Sequence, residues 1–185
     1  METFFISDCH FGHKNVIKYC NRPYSSIEEM DEDIISKWNK KVHKDDIVYI
    51  VGDLFYFKIN NAISILDRLK GKLTLIRGNH DDFFLKKINV NKYFQNVSLY
   101  EEISLRENKI TLCHYPMYSW KNSRRQNSYL VFGHVHNNKD MFWFDYYCQN
   151  DKTLNAGVDI NNFEPVNFDE LKQNNKEFKR CYRVS

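Results

Sequence analysis

The chain has 185 residues, of which 42% are hydrophobic and 28% are charged. This length suits one domain, and we expect residues 1–185 to form a single domain with a substantial hydrophobic core. The formal charge of +3 does not by itself indicate a nucleic-acid-binding protein, and the ordinary composition argues against long disordered segments.

Neither a signal peptide nor a membrane span is expected. The first residues lack a positively charged region, and no apolar run is long enough to cross a bilayer. The five cysteines are an odd number and include no Cys-x-x-Cys pair, which argues against a disulfide framework or a structural zinc knuckle. These observations favour a protein of the reducing cytoplasm.

Strands and helices are predicted to alternate in the first half of the chain. Apolar and mostly continuous runs predict buried strands at 3–7, 47–51 and 73–77. Ser26 and Glu29 have the spacing of a capping box at the start of an amphipathic helix. A second helix is expected over roughly 59–69, where the apolar residues fall on one face.

The second half is predicted to be richer in strands. Residues 103–113 indicate a hairpin, and Asn167 can cap a last helix that begins near Phe168. Further strands are expected at 129–132, 141–147 and 153–155. The first half of the chain thus alternates between strands and helices, and the second half consists mainly of strands. This order indicates an α/β domain in which two sheets can form.

Polar side chains follow five of the predicted strands. In open α/β sheets, ligands bind beyond the carboxyl ends of the strands, so these five segments can converge on one crevice. The candidates are two aspartates, one asparagine and four histidines: Asp8, His10, Asp53, Asn79, His114, His134 and His136.

The chemistry of these side chains indicates a metal site. Oxygen and imidazole donors without a thiolate suit Mn²⁺, Fe or Zn²⁺. The set is too large for one tetrahedral ion and fits two ions that share a carboxylate, an arrangement that recurs in phosphate-ester hydrolysis. Gly52, Gly78 and Gly133 each precede a candidate ligand, where a glycine permits a sharp turn. His80 is not needed as a metal ligand and is therefore free to act as an acid or base.

Five motifs occur in order along the chain: Asp8-Cys9-His10, Gly52-Asp53, Gly78-Asn79-His80-Asp81, His114 and Gly133-His134-Val135-His136. This ordered set resembles the signature of the calcineurin-like metallophosphoesterase superfamily, over about residues 3–160. The segments 7–15, 21–24 and 114–117 are similar to those of its small bacterial and phage branch. The resemblance implies a four-layer α/β/β/α sandwich with a binuclear metal centre.

The resemblance also implies roles for individual residues. One divalent ion would be bound by Asp8, His10, His136 and the bridging Asp53, and the other by Asp53, Asn79, His114 and His134. Manganese is the expected metal, with iron, zinc or nickel as alternatives. A hydroxide between the ions would attack phosphorus while His80 protonates the leaving oxygen, with Asp81 available to orient His80.

The motif sequences bear on the reaction. Family protein phosphatases carry Asp-Arg-Gly after Gly-Asp and end the third motif in Glu, whereas here Asp53 is followed by Leu54-Phe55-Tyr56 and the third motif ends in Asp81. A phosphodiesterase is therefore expected, with a phosphomonoesterase as the alternative and a non-catalytic interaction scaffold as a further one. The expected partner is a phosphate ester, with nucleotides and oligonucleotides among the candidates, and no membrane.

Several further side chains are candidates for contact with the substrate phosphate. His13 follows Gly12 at the start of a short predicted helix, whose exposed N–H groups favour an anion. Arg22, Arg124 and Arg125 carry guanidinium groups that match phosphate oxygens, although Arg124 and Arg125 also fit an exposed charge cluster. Three aromatic residues after His114 either stack on a nucleobase or cover the loop: Tyr115, Tyr118 and Trp120. Cys9 and Cys113 are expected to be buried thiols behind the site.

Overall fold

A computed structural model describes residues 1–56, 62–140 and 144–183, with side chains through residue 180. The strands of the described residues are β1 (Thr3–Ile6), β2 (Ile47–Ile50), β3 (Lys72–Ile76), β4 (Phe94–Ser98), β5 (Tyr100–Leu105), β6 (Asn108–Cys113), β7 (Ser128–Phe132), β8 (Thr153–Asn155) and β9 (Val166–Asn167). The α-helices are α1 (Lys14–Tyr19), α2 (Ile27–Lys41), α3 (Ala62–Leu66), α4 (Asp81–Leu85), α5 (Val90–Tyr93), α6 (Phe144–Gln149) and α7 (Phe168–Arg183), and a short 3-10 helix spans Val158–Ile160.

The strands form two sheets. The first has the order β4-β3-β2-β1-β9, in which β1 to β4 are mutually parallel and β9 runs antiparallel to β1. The second has the order β5-β6-β7-β8, in which β5 and β6 are the predicted antiparallel hairpin and β6, β7 and β8 are parallel. Because most neighbouring strands in each sheet run in the same direction, their carboxyl ends lie along one edge of each sheet.

Alternating side chains of β1 show how the layers are stacked. Phe4 and Ile6 lie in the core beneath the helices of the first half, together with Trp38 of α2. Phe5 points the other way, into the core between the two sheets, where it meets residues of β6 and β7 such as Leu112. The outer face of the second sheet is covered by aromatic residues of α6. The expected four-layer α/β/β/α fold is confirmed.

Helix caps predicted from the sequence are present in the structure. The Ser26 hydroxyl accepts a hydrogen bond from the Glu29 N–H at the start of α2. At the start of α7, the Asn167 side chain accepts from the Glu170 N–H while the Glu170 carboxylate accepts from the Asn167 N–H. These reciprocal bonds satisfy N–H groups that a helix start otherwise leaves unpaired.

The strand predicted at 141–147 is wrong where the structure describes it. Residues Phe144–Gln149 form a helix, and residues 141–143 lie outside the described part of the chain. The buried residues Phe144, Tyr147 and Cys148 have helical spacing, so packing one face against the second sheet outweighs the strand preference of aromatic residues. The helix predicted over 59–69 corresponds to α3, which spans Ala62–Leu66. Residues 59–61 of that prediction lie outside the described part of the chain.

Strands β4 and β9 and helices α4 and α5 are not predicted by the sequence patterns. Across the described residues, none of the helices combines the length and the apolar character that crossing a membrane requires.

Candidate metal centre

The seven candidate ligands lie on loops that follow the carboxyl ends of β1, β2, β3, β6 and β7. Six of them fall into two groups whose potential ligand atoms lie within 4.8 Å of one another, and a further group of this kind joins His10 and Asp53 to His80. The first group is Asp8, His10 and His136, and the second is Asp53, His114 and His134. The structure therefore brings together side chains from both sheets that are far apart in the sequence.

Asp53 lies between the two groups. Its Oδ2 atom is 3.6 Å from His10 Nε2 and 3.5 Å from His114 Nε2. Asn79 joins the second group, because its Oδ1 atom is 3.2 Å from His114 Nε2 and 3.0 Å from His134 Nδ1. One carboxylate oxygen thus faces both groups, as a bridging ligand requires.

The ligand loops have an unusual backbone. Asp8, His10, Asp53, His134 and His136 all have φ between 51° and 73°. This left-handed region is costly for residues with a side chain and is held only where surrounding contacts impose it, often at functional sites. Hydrogen bonds across the loops supply such contacts: the N–H groups of Asp8 and His10 donate to the carbonyls of Gly52 and Asp53, each at 3.0 Å.

Gly52 is required by close packing behind the second group. Its φ is +89°, and a Cβ at this position would lie 2.2 Å from His114 Nδ1. A side chain here would displace His114 as well as strain the backbone. The expectation that a glycine before a candidate ligand permits a tight approach is confirmed at this position.

Two of the candidate histidines are oriented by a hydrogen bond to the ring nitrogen that faces away from the site. His114 Nδ1 is 2.8 Å from the carbonyl of Val51, and His136 Nδ1 is 2.7 Å from Oδ2 of Asp159. With Nδ1 as the donor, Nε2 of each ring faces the carboxylates and is the nitrogen that could bind a metal ion once its proton is released.

Asp159 is a functional candidate that the sequence patterns miss. It lies in the 3-10 helix after β8, and its side chain is 1% exposed. A single aspartate in a polar stretch carries no local signal, and its partners are distant in sequence.

The guanidinium group of Arg22 has buried partners within the protein. Its side chain is 0% exposed, and its guanidinium group pairs with the Asp159 carboxylate at 2.7 Å and 3.0 Å. It also donates to the carbonyls of Asp8 and Cys9 at 2.7 Å and 2.9 Å. These contacts hold the guanidinium group against Asp159 and the backbone of the Asp8 loop, and direct contact of Arg22 with the substrate phosphate stays a prediction that they do not support.

His80 lies beside the Asp53 carboxylate. Its Nε2 atom is 4.0 Å from Asp53 Oδ2, and its side chain is 33% exposed. Its backbone N–H donates to Asp53 Oδ1 at 2.9 Å. His80 is therefore within reach of the cleft and fixed relative to Asp53.

Asp81 is hydrogen-bonded to the loops that carry Asp53 and Asn79. Its buried carboxylate accepts hydrogen bonds from the backbone N–H groups of Gly78, Asp53 and Leu54 at 2.7 to 3.0 Å, and so ties together the loops after β2 and β3. Those bonds aim the carboxylate at backbone N–H groups, and the expected orienting role toward the His80 ring stays a prediction. Burial raises the pKa of Asp81 to about 6, although the Gly78 N–H opposes the rise.

His13 lines the same cavity as His10, Asp53 and His80. Its ring stacks on Tyr56 with a centroid separation of 3.7 Å and an interplanar angle of 7°. Burial lowers the pKa of His13 to about 4, so the ring is neutral at pH 7.

The other expected substrate contacts are not brought to the site. Arg124 and Arg125 precede β7, whereas His134 follows it, and the strand's five residues separate the two ends by about 16 Å. Trp120 is buried and donates its indole N–H to Ser128, so it covers the loop. Tyr115 remains beside the site, with its half-exposed ring 4.8 Å from that of His134. Two more predicted features agree with the structure: Cys9 is buried and Cys113 is half-buried.

The electrostatics of the site favour cation binding. Burial alone would raise the pKa of Asp53, but the hydrogen bond and charge of His114 outweigh it and lower the pKa to about 2. Burial holds the pKa of His10 well below its usual value. At neutral pH Asp53 is therefore ionised and His10 neutral, which are the protonation states that bind a metal ion. Burial alone would lower the pKa of His114 and His136, but hydrogen bonds to Asp53 and Asp159 outweigh it and raise the two pKa values to about 9 and about 11, so metal binding at these two rings releases protons.

His10 provides the strongest indication that the site fits a metal ion. Both of its ring nitrogens are buried, and neither has a hydrogen-bond partner in the described part of the chain. An unpaired buried polar group is costly, and a site for a bound ion is one of its ordinary explanations. Together with the oxygen donors of Asp8 and Asp53, this unpaired imidazole fits a divalent cation.

The fold and the His/Asp groups of the site are those expected of the calcineurin-like phosphoesterase family. The model of the calcineurin-like phosphoesterase family matches residues 1–176, and the chain belongs to this family. An uncharacterized protein of Methanocaldococcus jannaschii is 35% identical over 170 residues, which cover 91% of this chain and 88% of that protein.

Two further similarities extend the comparison. The gene 66 protein of Mycobacterium phage L5 is 37% identical over 82 residues, which cover 43% of this chain and 39% of that protein. A protein of unknown function from Aquifex aeolicus has a similar crystal structure, with a TM-score of 0.71 and 26% identity, covering 92% of this chain and 97% of that one.

Proposed function

We propose that the protein is a phosphodiesterase that depends on two divalent metal ions, with manganese preferred. The observation that carries this proposal is the position of Asp53, whose Oδ2 atom lies 3.6 Å and 3.5 Å from the Nε2 atoms of His10 and His114. One ion is assigned to Asp8, His10, His136 and Asp53, and the other to Asp53, Asn79, His114 and His134. Such a pair supplies an activated water and positive charge for the phosphate oxygens.

His80 is assigned the transfer of a proton to the leaving oxygen. It is not needed as a ligand in either set, and its partly exposed ring faces the cleft at 4.0 Å from the bridging carboxylate. The hydrogen bond from its backbone N–H to Asp53 holds the ring close to the reacting phosphate. A positioned proton donor of this kind typically contributes about 10² to 10⁴ in rate.

The shape of the cleft supports a diester rather than a monoester. One cavity of about 390 Å³ extends from the candidate ligands toward His13, Tyr56 and His80. Another of about 580 Å³ is lined by Asn137 and Lys139, and it shares His134 and His136 with the first. A phosphodiester carries a group on each side of phosphorus, and this cleft has room for both.

His13 is assigned a contact with the substrate phosphate. It lies in the cavity on the His80 side, and its stacking on Tyr56 fixes the plane of the ring. As a neutral imidazole it carries one N–H, which can donate a hydrogen bond to a phosphate oxygen.

The test uses protein stripped of metal and reconstituted with Mn²⁺. We expect hydrolysis of an aryl phosphodiester to be faster than hydrolysis of the matched monoester, and to be lost in Asp53→Asn. Asp67→Asn is the matched control, because this carboxylate is half exposed and pairs with Lys92. A preference for the monoester would indicate a phosphomonoesterase, and no hydrolysis of either would indicate a non-catalytic scaffold.

A screen on the reconstituted protein then identifies the substrate class. It compares 2′,3′- and 3′,5′-cyclic nucleotides, dinucleotides, single-stranded oligonucleotides and phosphomonoesters. We expect turnover among the diesters, and the ranking within them reports which groups the two cavities accept.

A further inference from the structure

We propose that Arg22 and Asp159 act together as positioning residues for one of the two metal sites and set its affinity separately from that of the other. The site concerned is the one assigned to Asp8, His10 and His136. The proposal rests on the metal-dependent function proposed above. We refer to the buried pair of Arg22 and Asp159 as the clamp.

The clamp is a buried ion pair with two-point geometry. Arg22 Nε is 2.7 Å from Asp159 Oδ1, and Arg22 Nη2 is 3.0 Å from Oδ2. The two side chains are 0% and 1% exposed. Two parallel hydrogen bonds between planar groups fix their relative orientation, and burial shields the pair from solvent screening.

One end of the clamp holds a candidate ligand directly. Asp159 Oδ2 accepts a hydrogen bond from His136 Nδ1 at 2.7 Å, which leaves Nε2 of the same ring 3.9 Å from Asp8 Oδ1. A carboxylate on the outer nitrogen of a ligating histidine fixes the ring and increases its basicity as a donor.

The other end of the clamp holds the backbone of the first ligand loop. Arg22 Nη2 donates to the Asp8 carbonyl at 2.7 Å, and Nη1 donates to the Cys9 carbonyl at 2.9 Å. Asp8 and His10 both adopt left-handed backbone angles, which surrounding contacts must impose. The same guanidinium group thus anchors the loop carrying two candidate ligands and, through Asp159, the third.

The second metal site is supported by other groups. His114 is oriented by the carbonyl of Val51, and the two loops that carry Asp53 and Asn79 are held together by Asp81. The side-chain hydrogen bonds of the clamp in the described part of the chain go instead to Asp8, Cys9, Met30 and His136. The Asp8 carboxylate also accepts the N–H of His134, a candidate ligand of the second site, so we expect damage to the clamp to weaken the first site much more than the second.

The clamp also explains a third cluster of candidate ligands. Cys20, His136 and Asp159 have potential ligand atoms within 4.8 Å of one another. The Arg22 cation is bonded to the same carboxylate, so an added metal ion there would face a buried positive charge. This cluster serves as support for His136 rather than as a third cation site.

The test measures Mn²⁺ binding to metal-free protein by calorimetric titration, comparing Asp159→Asn and Arg22→Lys with the unaltered protein. Both substitutions keep the approximate size of the side chain and remove its two-point geometry. We expect two ions to bind the unaltered protein, and each variant to bind one of them about 10- to 100-fold more weakly while the affinity for the other changes much less.

Two further variants make the test specific. Asp169→Asn is the control, because this exposed carboxylate pairs with Lys172 and Arg106 away from the clamp, and it should bind both ions normally. The double variant Arg22→Lys with Asp159→Asn should lose no more affinity than the weaker-binding single variant, since the two residues act as one unit. If one single variant fails to fold, the other still tests the selective loss.

The outcomes separate this inference from the proposed function. Binding of fewer than two ions by the unaltered protein would overturn the proposed function and this inference with it. Two ions bound by the unaltered protein, with equal weakening of both or no weakening in the variants, would overturn the clamp alone. Additive losses in the double variant would also contradict it.

Discussion

At the scale of single residues, His80 combines a ring that is accessible from the cleft with no assigned place among the seven candidate ligands, whereas the other exposed ring, that of His134, belongs to that set. His10 and His114 are buried, whereas the side chain of His80 is 33% exposed beside Asp53. A general acid has to reach the leaving oxygen of a bound substrate, and a partly exposed ring at the edge of the cleft meets that requirement.

This role predicts a dependence on the leaving group. A poor alkoxide leaving group needs protonation, whereas an aryl oxide leaves without much assistance. We expect His80→Ala to lose about 10² to 10⁴ in kcat/KM on an alkyl diester and far less on an aryl diester. Measured on metal-loaded enzyme with the metal content verified, equal losses on both substrates would contradict the acid role.

Asp81 contributes hydrogen bonds to the backbone of the site. Asp81→Ala would leave the N–H groups of Gly78, Asp53 and Leu54 without their acceptor, at a cost of about 1–3 kcal/mol for each buried donor. We expect a large fall in the free energy of urea unfolding and weaker metal binding. The neighbouring Asp82→Ala should change stability by only about 0.5 kcal/mol, since Asp82 is exposed and pairs with Arg77. Equal effects would show that the Asp81 bonds are unimportant.

The residues of the site differ in how far the sequence predicts them. The seven candidate ligands could be predicted because each follows an apolar strand, and strand ends of this fold class converge. Asp159 could not be predicted from the sequence, because its partner Arg22 is 137 positions away. The correct environments of Arg22 and Asp81 depend on backbone groups that only the folded loops bring near them.

At the scale of elements, α2 supports the loop that carries the first ligands. Asp31 of α2 accepts the N–H of Gly12 with both carboxylate oxygens, at 3.1 and 3.2 Å. Gly12 lies between His10 and His13, so this contact fixes the turn that leads from β1 to α1. Burial raises the pKa of Asp31 to about 7, with the Gly12 hydrogen bond opposing the rise.

The raised pKa predicts how stability depends on pH. Between about pH 4 and pH 7 the folded protein keeps the Asp31 proton that the unfolded chain has already lost. The contribution of Asp31 to the free energy of unfolding therefore falls as the pH rises through this window. We expect Asp31→Asn to gain stability relative to the unaltered protein over the same window, measured by urea unfolding.

The stability contributed by Asp46 is expected to depend on pH in the opposite direction to that of Asp31. Backbone hydrogen bonds from Glu2 and His43 lower the pKa of Asp46, so its contribution is lost as the pH falls. Asp46→Asn should therefore approach the stability of the unaltered protein at low pH rather than diverge from it. If the free energies of unfolding of Asp31→Asn and the unaltered protein differed by a constant amount from about pH 4 to pH 7, the raised pKa of Asp31 would be contradicted.

Among the elements, those with a strong local pattern could be predicted and those defined by packing could not. The strands β1, β2, β3, β6 and β7 lie within two residues of their predicted bounds because continuous apolar runs define them. Helix α6 was expected to be a strand, because its aromatic residues favour strands locally and only the buried spacing of Phe144, Tyr147 and Cys148 selects the helix. Strand β9 has two residues, too few for any pattern.

At the scale of the whole molecule, the site depends on the contact between the two sheets. Asp8, His10, Asp53 and Asn79 follow strands of the first sheet, whereas His114, His134 and His136 follow strands of the second. The core that joins the sheets includes Phe5, Val51 and Leu112. Because each candidate metal site takes ligands from both sheets, metal binding and the packing of the sheets stabilise each other.

The central claim is that one carboxylate, that of Asp53, bridges two metal ions. Anomalous diffraction from crystals of the protein loaded with Mn²⁺ tests it most directly. The account predicts two peaks on either side of the Asp53 carboxylate, about 3.5–4 Å apart. A single peak, or a peak beside Cys20 and Asp159 in place of the second, would contradict it.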